Sequence, residues 1–134
     1  MEKKNQGIVG QLRVAHQYQL NGYNILFPFG DSQKYDLVIE KDGQFSKVQV
    51  KTTVESDGYV YADARVIGHN RSRVNIYKPT KEDFDILAIV EMKTQNVYAI
   101  QFDGKQRQFH LRTKRTKNNQ TKGVRLAEEY LLGP

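Results

Sequence analysis

Three residues in the first half of the chain carry chemistry when taken together: Asp36, Gln49 and Lys51. Residues 35–40 read YDLVIE and residues 47–53 read KVQVKTT, two strand-like runs with Asp42-Gly43 between them as a hairpin turn. Side chains alternate between faces along a strand. Val48 and Val50 therefore face one way and Gln49 and Lys51 the other, while Leu37 and Ile39 on the partner strand leave Asp36 and Val38 opposite. If the apolar faces coincide, Asp36 shares a side with Gln49 and Lys51, and opposed residues on neighbouring strands stand about 4.5–5.5 Å apart. A carboxylate can hold a hard divalent cation, and an amide oxygen can add a neutral ligand. An ammonium can orient and help deprotonate a water, or neutralise charge on a pentavalent phosphorus. Alone, Asp36 reads as turn chemistry at a strand start and Lys51 as a solvated lysine. The three together, in a basic chain, point to a site.

Gln11 belongs to the same question. Residues 7–20 have helical spacing, with Ile8, Leu12 and Ala15 at i, i+4 and i+7 and Val14 and Tyr18 beside them; Asn21-Gly22 closes the segment. Gln11 falls within that apolar stripe, where a polar side chain left without a partner costs about 1–3 kcal/mol. Two readings stand open: an amide at the edge of the core satisfied by a backbone group, or one that reaches across to Asp36.

The elements that must position these residues follow in order. Residues 23–29 form a short apolar run, expected to be a strand, and 31–34 a turn. Residues 59–64, with aromatics among small residues, read as a third strand. Residues 84–91 (FDILAIVE) and 96–102 (NVYAIQF) are apolar enough for the centre of a sheet, and 124–132 (VRLAEEYLL) read as a closing helix stopped by Gly133-Pro134. Helix, several strands, then helix makes an α/β (α+β) fold with a mixed central sheet flanked by helices. With 134 residues and neither repeats nor a linker, the chain is expected to be a single domain over 1–134.

Composition narrows the partners. The chain has 21 Lys+Arg against 15 Asp+Glu, a net charge of +6, which favours a polyanion. Cysteine is absent, which excludes disulfides, thiolate metal sites and cysteine nucleophiles. Neither an apolar leader nor a membrane-length run is present, so a cytoplasmic protein at the bacterial nucleoid, neither secreted nor membrane-bound, is expected. The cations cluster. Residues 105–125 hold Lys105, Arg107, Arg112, Lys114, Arg115, Lys117, Lys122 and Arg125 without an acid among them. Asn119 stands in the same stretch, and Arg, Asn and Gln are the side chains that read base edges. Arg71, Arg73, Asn75 and Lys78 make a second basic stretch suited to a β-ribbon or loop entering a groove. Other constellations are weaker. His16, His69 and His110 lack ligand spacing, a phosphate-cradling glycine loop is missing, and Glu82, Asp83 and Asp85 read as a solvated turn.

The order Gly-x-x-Gly-Gln11, Asn-Gly-Tyr, Pro-x-Gly-Asp, Tyr-Asp36-Leu-Val-Ile and Val-Gln49-Val-Lys51-Thr resembles the PD-(D/E)xK nuclease superfamily. Within it the chain looks most like the small homing endonucleases encoded in cyanobacterial group I introns. The motifs span residues 7–53. The resemblance implies a restriction-endonuclease-like core, with Asp36 as the metal-binding acid, Gln49 at the second acidic position, Lys51 as the catalytic lysine, the main-chain oxygen of Val50 as a further ligand, and Gln11 in place of a helix glutamate. It implies a sequence-specific DNA endonuclease that makes double-strand breaks with Mg2+ or another divalent cation on double-stranded DNA, working as a homo-oligomer, dimer or tetramer. The chain departs from the pattern at Tyr35, where the superfamily has proline, and at Gln49 and Gln11, where amides replace carboxylates. Asp36 is then the only carboxylate of the four, so impaired cleavage is expected. The alternatives are a non-catalytic DNA-binding module of the same fold and a junction-resolving or repair nuclease.

Overall fold

The computed structural model describes residues 1–30, 32–70, 73–114 and 124–133, with the backbone alone for 67–70 and 73. Helix α1 (Lys3–Leu20) begins a turn earlier than its apolar spacing suggests and ends at Gly22, whose φ of 91° supplies the left-handed residue that closes a helix. Strands β1 (Asn24–Leu26), β2 (Leu37–Lys41) and β3 (Gln44–Thr53) follow. The β2–β3 turn has positive φ at both Asp42 (53°) and Gly43 (81°), the backbone that matches strand twist in a tight hairpin. Next come β4 (Tyr59–Asp63), β5 (Val66–Asn70), β6 (Arg73–Tyr77), β7 (Ile86–Glu91), β8 (Val97–Gln101) and β9 (Gln108–Arg112).

Five strands form the central mixed sheet in the order β1-β2-β3-β7-β8, with β3 and β7 parallel and the other pairs antiparallel. Every residue of β7 is buried, as its unbroken apolar run predicts for an inner strand. Strand β8, also expected at the centre, lies at the edge. The two faces hold two cores. Val14 and Tyr18 of α1 pack with Leu37, Val48, Val50, Ala88 and Val90 on one. On the other, Leu87 and Ile89 meet Val60, Ala62, Phe109 and Leu111 of the separate β4–β9 pair.

Two further expectations fail. The closing segment is a single 3-10 turn, Ala127–Glu129, with extended chain beyond it, where a helix was expected. The amide of Ala99 donates to Tyr130 O and that of Leu132 to Val97 O, so the chain end lies along the open edge of β8. An edge strand's unpaired backbone groups draw more from such a partner than the intrinsic helix preference of AEEYLL gives back. The apolar stripe of α1 is also displaced. Ile8 and Leu12 are exposed, and the buried face is Gly10, Val14, Gln17 and Tyr18. Close approach decides it: a Cβ on Gly10 would stand 2.4 Å from Thr52 Cγ2, so only glycine lets the helix settle onto β3 there.

Candidate active site

Asp36 sits one residue before β2, at the point where β2 parts from β3. Its main-chain amide donates to Val48 O at 2.8 Å, the last rung of the ladder. The next amide on β3, that of Val50, donates to the Asp36 carboxylate, Oδ2, at 2.7 Å. The side chain thus takes over where the main chain leaves. A residue's N–H and C=O point to the same side of a strand, so the Val50 carbonyl also faces this gap. On the helix side Gln11 Nε2 donates to Asp36 Oδ1 at 3.1 Å. The second of the two readings for Gln11 therefore holds: it reaches Asp36, from the half-buried flank of α1 rather than its core stripe. Gln11 and Asp36 line a cleft of about 310 Å3 together with Phe27, Pro28, Gln33 and Tyr35.

Lys51 and Gln49 lie on the other face of β3. Their register partners on β7 are Ile89 and Leu87, which belong to the β4–β9 core. Both are half-buried. The β2–β3 register ends at Leu37 and Val48, and alternation carried one step further would set Asp36 beside Gln49. Asp36 is not a strand residue, however, and its carboxylate lies at the strand edge between the two faces, bonded toward the helix while its charge acts on Lys51.

Burial pushes the Asp36 carboxyl up from its ordinary range, and the Val50 amide and the Lys51 charge oppose this without cancelling it. Burial likewise pulls Lys51 down, opposed by the charges of Asp36 and Asp63. Loss of water thus raises the acid and lowers the base, a pattern that catalytic groups share with buried structural ion pairs.

Asp63 was not foreseen. It ends β4, and Arg65 binds its carboxylate through Nη2 at 2.7 Å and Nε at 3.0 Å. The Arg65 hydrogen bond holds the Asp63 carboxyl below its usual range. Strand β4 delivers it, 12 residues past Lys51 in sequence, and no local spacing joins the two.

The expected DNA contacts divide. Asn75 and Lys78 are exposed on and just after β6, which pairs with β5 as a separate two-stranded ribbon. Arg107 is tied down, its guanidinium donating to Pro79 O and Lys105 O. Arg112 lies across the Tyr59 ring at 4.6 Å, and Lys114 is exposed beyond it. Arg71, Arg115, Lys117, Asn119 and Lys122 lie outside the described residues, as does the side chain of Arg73. The Glu82, Asp83, Asp85 cluster is more than a solvated turn: Asp85 Oδ2 accepts from the Lys47 amide at 2.8 Å, and Asp83 Oδ2 accepts from Thr80 N at 2.7 Å and from the Tyr77 hydroxyl at 2.9 Å.

As metal donors, the groups around Asp36 are oxygens of the right kind for magnesium, which uses one or two carboxylates and completes its shell with water and phosphate. Among the described residues, no group of three His, Cys, Asp or Glu side chains converges to hold a metal ion. A cation here would depend on Asp36, the Val50 carbonyl and the Gln49 amide oxygen.

Comparison with known families assigns residues 1–133 to the PD-(D/E)XK endonucleases, and the chain belongs to that family. It is 41 % identical over 91 residues to Protein 5.3 of Escherichia phage T7, a match covering 66 % of this chain and 73 % of that one. Its fold is similar to that of a bacterial homing endonuclease, I-Ssp6803I, with a TM-score of 0.79 and 26 % identity over 98 % of this chain and 89 % of the other. The mixed central sheet is therefore a restriction-endonuclease-like core, and the chain is a nuclease by class.

Proposed function

We propose that this chain is a sequence-specific DNA endonuclease that hydrolyses phosphodiester bonds with a divalent metal, in the manner of a homing endonuclease. The observation that carries this is the placement of one carboxylate, Asp36, so that it spans the gap between β2 and β3, fixed by the Val50 amide and close enough to Lys51 for each charge to act on the other. Asp36, the Val50 carbonyl and the Gln49 amide would hold magnesium, and the bound ion would supply Lewis-acid stabilisation of charge on the phosphoryl oxygens. Lys51, with its proton affinity lowered by burial, is suited to orient the attacking water and exchange a proton with it. Gln11 keeps the Asp36 carboxylate in one orientation.

Asn75 and Lys78 near the β5–β6 ribbon, and the cations of residues 105–125, would supply groove and phosphate contacts. One chain of this size covers too little duplex to cut both strands of a long target, so a homo-oligomer with at least two such sites is part of the proposal.

A second reading has its own observation. Amides at 11 and 49 leave Asp36 as the one carboxylate of the four matched positions, which favours a module that binds DNA and cuts poorly. Incubation of supercoiled plasmid carrying a library of targets, with magnesium and with EDTA, separates the two. Linear product that requires magnesium supports the nuclease; tight binding with the plasmid intact supports the module. Preference for branched over linear DNA would instead indicate a junction-resolving or repair enzyme.

A further inference from the structure

The outer face of β4–β9 takes no part in the hydrolysis proposed above, though its Arg112 is one of the cations proposed to contact DNA. Alternation sends Val60, Ala62, Phe109 and Leu111 into the core, which leaves Tyr59, Tyr61, His110 and Arg112 on the opposite face. Cross-strand pairing sets Tyr61 against His110 and Tyr59 against Arg112. The Tyr61 and His110 rings lie 4.6 Å apart, tilted by 40°, and His110 meets Tyr59 edge-on at 5.9 Å. The Arg112 guanidinium covers Tyr59 and donates to its hydroxyl. Gln108 Nε2 steadies the Tyr61 hydroxyl at 3.2 Å. Tyr61 is 37 % exposed, and His110 is exposed as well.

Two phenol rings, an imidazole and a guanidinium plane thus form one ordered π surface, held on both strands by a core-packed sheet. Such a surface recognises flat, electron-delocalised partners. Two cations favour an anion, Arg112 within the surface and Lys114 exposed just beyond it; Glu55 and Asp57 line the adjoining cleft, Asp63 at the near end is neutralised by Arg65, and the whole chain carries +6. Flat rings strung on an anionic chain are the bases of a nucleic acid. Their faces are open only where they are unpaired, because a duplex stacks them on one another. The surface also lies close to the site, since β4 packs against β3, the strand that carries Lys51, and Asp63 stands two residues from Tyr61, about 7 Å along the strand.

We propose that the Tyr59–Tyr61–His110–Arg112 face is a stacking platform for unpaired bases, engaging nucleotides that flank the phosphate presented to Asp36 and Lys51. The position relative to cleavage rests on the nuclease reading; the binding itself does not.

The test is fluorescence anisotropy in EDTA, with the full chain, a labelled oligothymidylate of about 12 nucleotides, an abasic strand of equal length, and a duplex. Tyr61→Ala should weaken oligothymidylate binding about tenfold, the scale of one lost base–aromatic stack. Tyr61→Phe should stay within about twofold of the parent, and the abasic strand should bind the parent and Tyr61→Ala alike. His110→Ala, at an exposed position, gives a second reading if Tyr61→Ala melts early. Equal losses on the abasic strand, a loss confined to duplex, or unchanged oligothymidylate binding would each overturn the platform. So would unchanged binding with a shift in oligomeric mass, which would make the face a contact between protein chains. Because metal is absent throughout, a failure of plasmid cleavage leaves this result untouched, and the reverse holds too.

Discussion

The Asp36 carboxylate completes the β2–β3 ladder at Val50, doing with a side chain what the main chain stops doing at Val48, two residues earlier on β3. The group best placed to bind a cation is therefore also a structural acceptor, and the two roles separate by substitution. Asp36→Asn keeps an oxygen for the Val50 amide and removes the charge. It should leave the melting temperature within a few degrees of the parent and lower magnesium-dependent cleavage by about 100-fold or more, with DNA affinity in EDTA unchanged. Asp36→Ala leaves the Val50 amide unpaired and should in addition cost about 1–3 kcal/mol in chemical denaturation. If Asp36→Asn cleaves at the parental rate, the carboxylate is a ladder cap alone.

Gln11 stands 3.1 Å from Asp36 through its amide nitrogen, so a carboxylate there would face another carboxylate. Like charges at that distance disfavour joint ionisation, and a divalent cation removes the conflict. Gln11→Glu should melt at lower temperature than the parent in EDTA, show a larger upward shift on adding magnesium, and cleave about 100-fold faster under single-turnover conditions. A magnesium shift no larger than the parent's, with equal cleavage, would mean that position 11 only orients Asp36.

Helix α1 can carry Gln11 to Asp36 because Gly10 lets it lie close to β3. A methyl group there would meet Thr52 Cγ2 at 2.4 Å and Val50 Cγ1 at 3.5 Å. Gly10→Ala should destabilise the fold by about 1–3 kcal/mol through overpacking. Thr52→Ser removes the opposing methyl and keeps the Oγ1-type acceptor for Gln6, so the double variant should recover most of the loss. Additive losses in the double-mutant cycle would show that the helix yields elsewhere.

The hairpin was legible because its information is local: Asp42-Gly43 dictates the turn, and alternation sorts Val48 and Val50 from Gln49 and Lys51. The buried run of β7 was legible for the same reason. What failed depends on distant partners. The core face of α1 is chosen by Gly10 against Thr52, and by a hydrogen-bonded row in which Arg13 donates to Gln17 Oε1 at 2.9 Å and Gln17 to Asn21 Oδ1 at 2.9 Å. This buries the polar Gln17 while Leu12 stays outside, which a count of apolar residues reads backwards. The chain end lost its expected helix to the open edge of β8, and Asp63 comes near Lys51 only through the packing of β4 over the sheet.

Glu91 makes a prediction about acid stability that is independent of the candidate site. It is 2 % exposed at the end of β7, and burial alone would push its carboxyl up. Four hydrogen bonds outweigh that and hold it below its ordinary value: the amides of Thr94, Glu55 and Lys93 and the Thr94 hydroxyl all donate to it, at 2.8–3.1 Å. A carboxyl whose folded value is depressed contributes stability above its unfolded value of about 4.5 and loses it as pH falls through the folded one. Stability by urea denaturation should therefore be level near neutrality and decline from about pH 5 downward, with Glu91 among the groups responsible. Glu91→Gln offers one acceptor oxygen and sets an N–H2 group against backbone donors, so it should cost about 3 kcal/mol at pH 7 and decline less steeply below pH 5. Parallel pH profiles for parent and variant would assign the acid loss to other carboxylates and leave Glu91 as a turn anchor that does not titrate with unfolding.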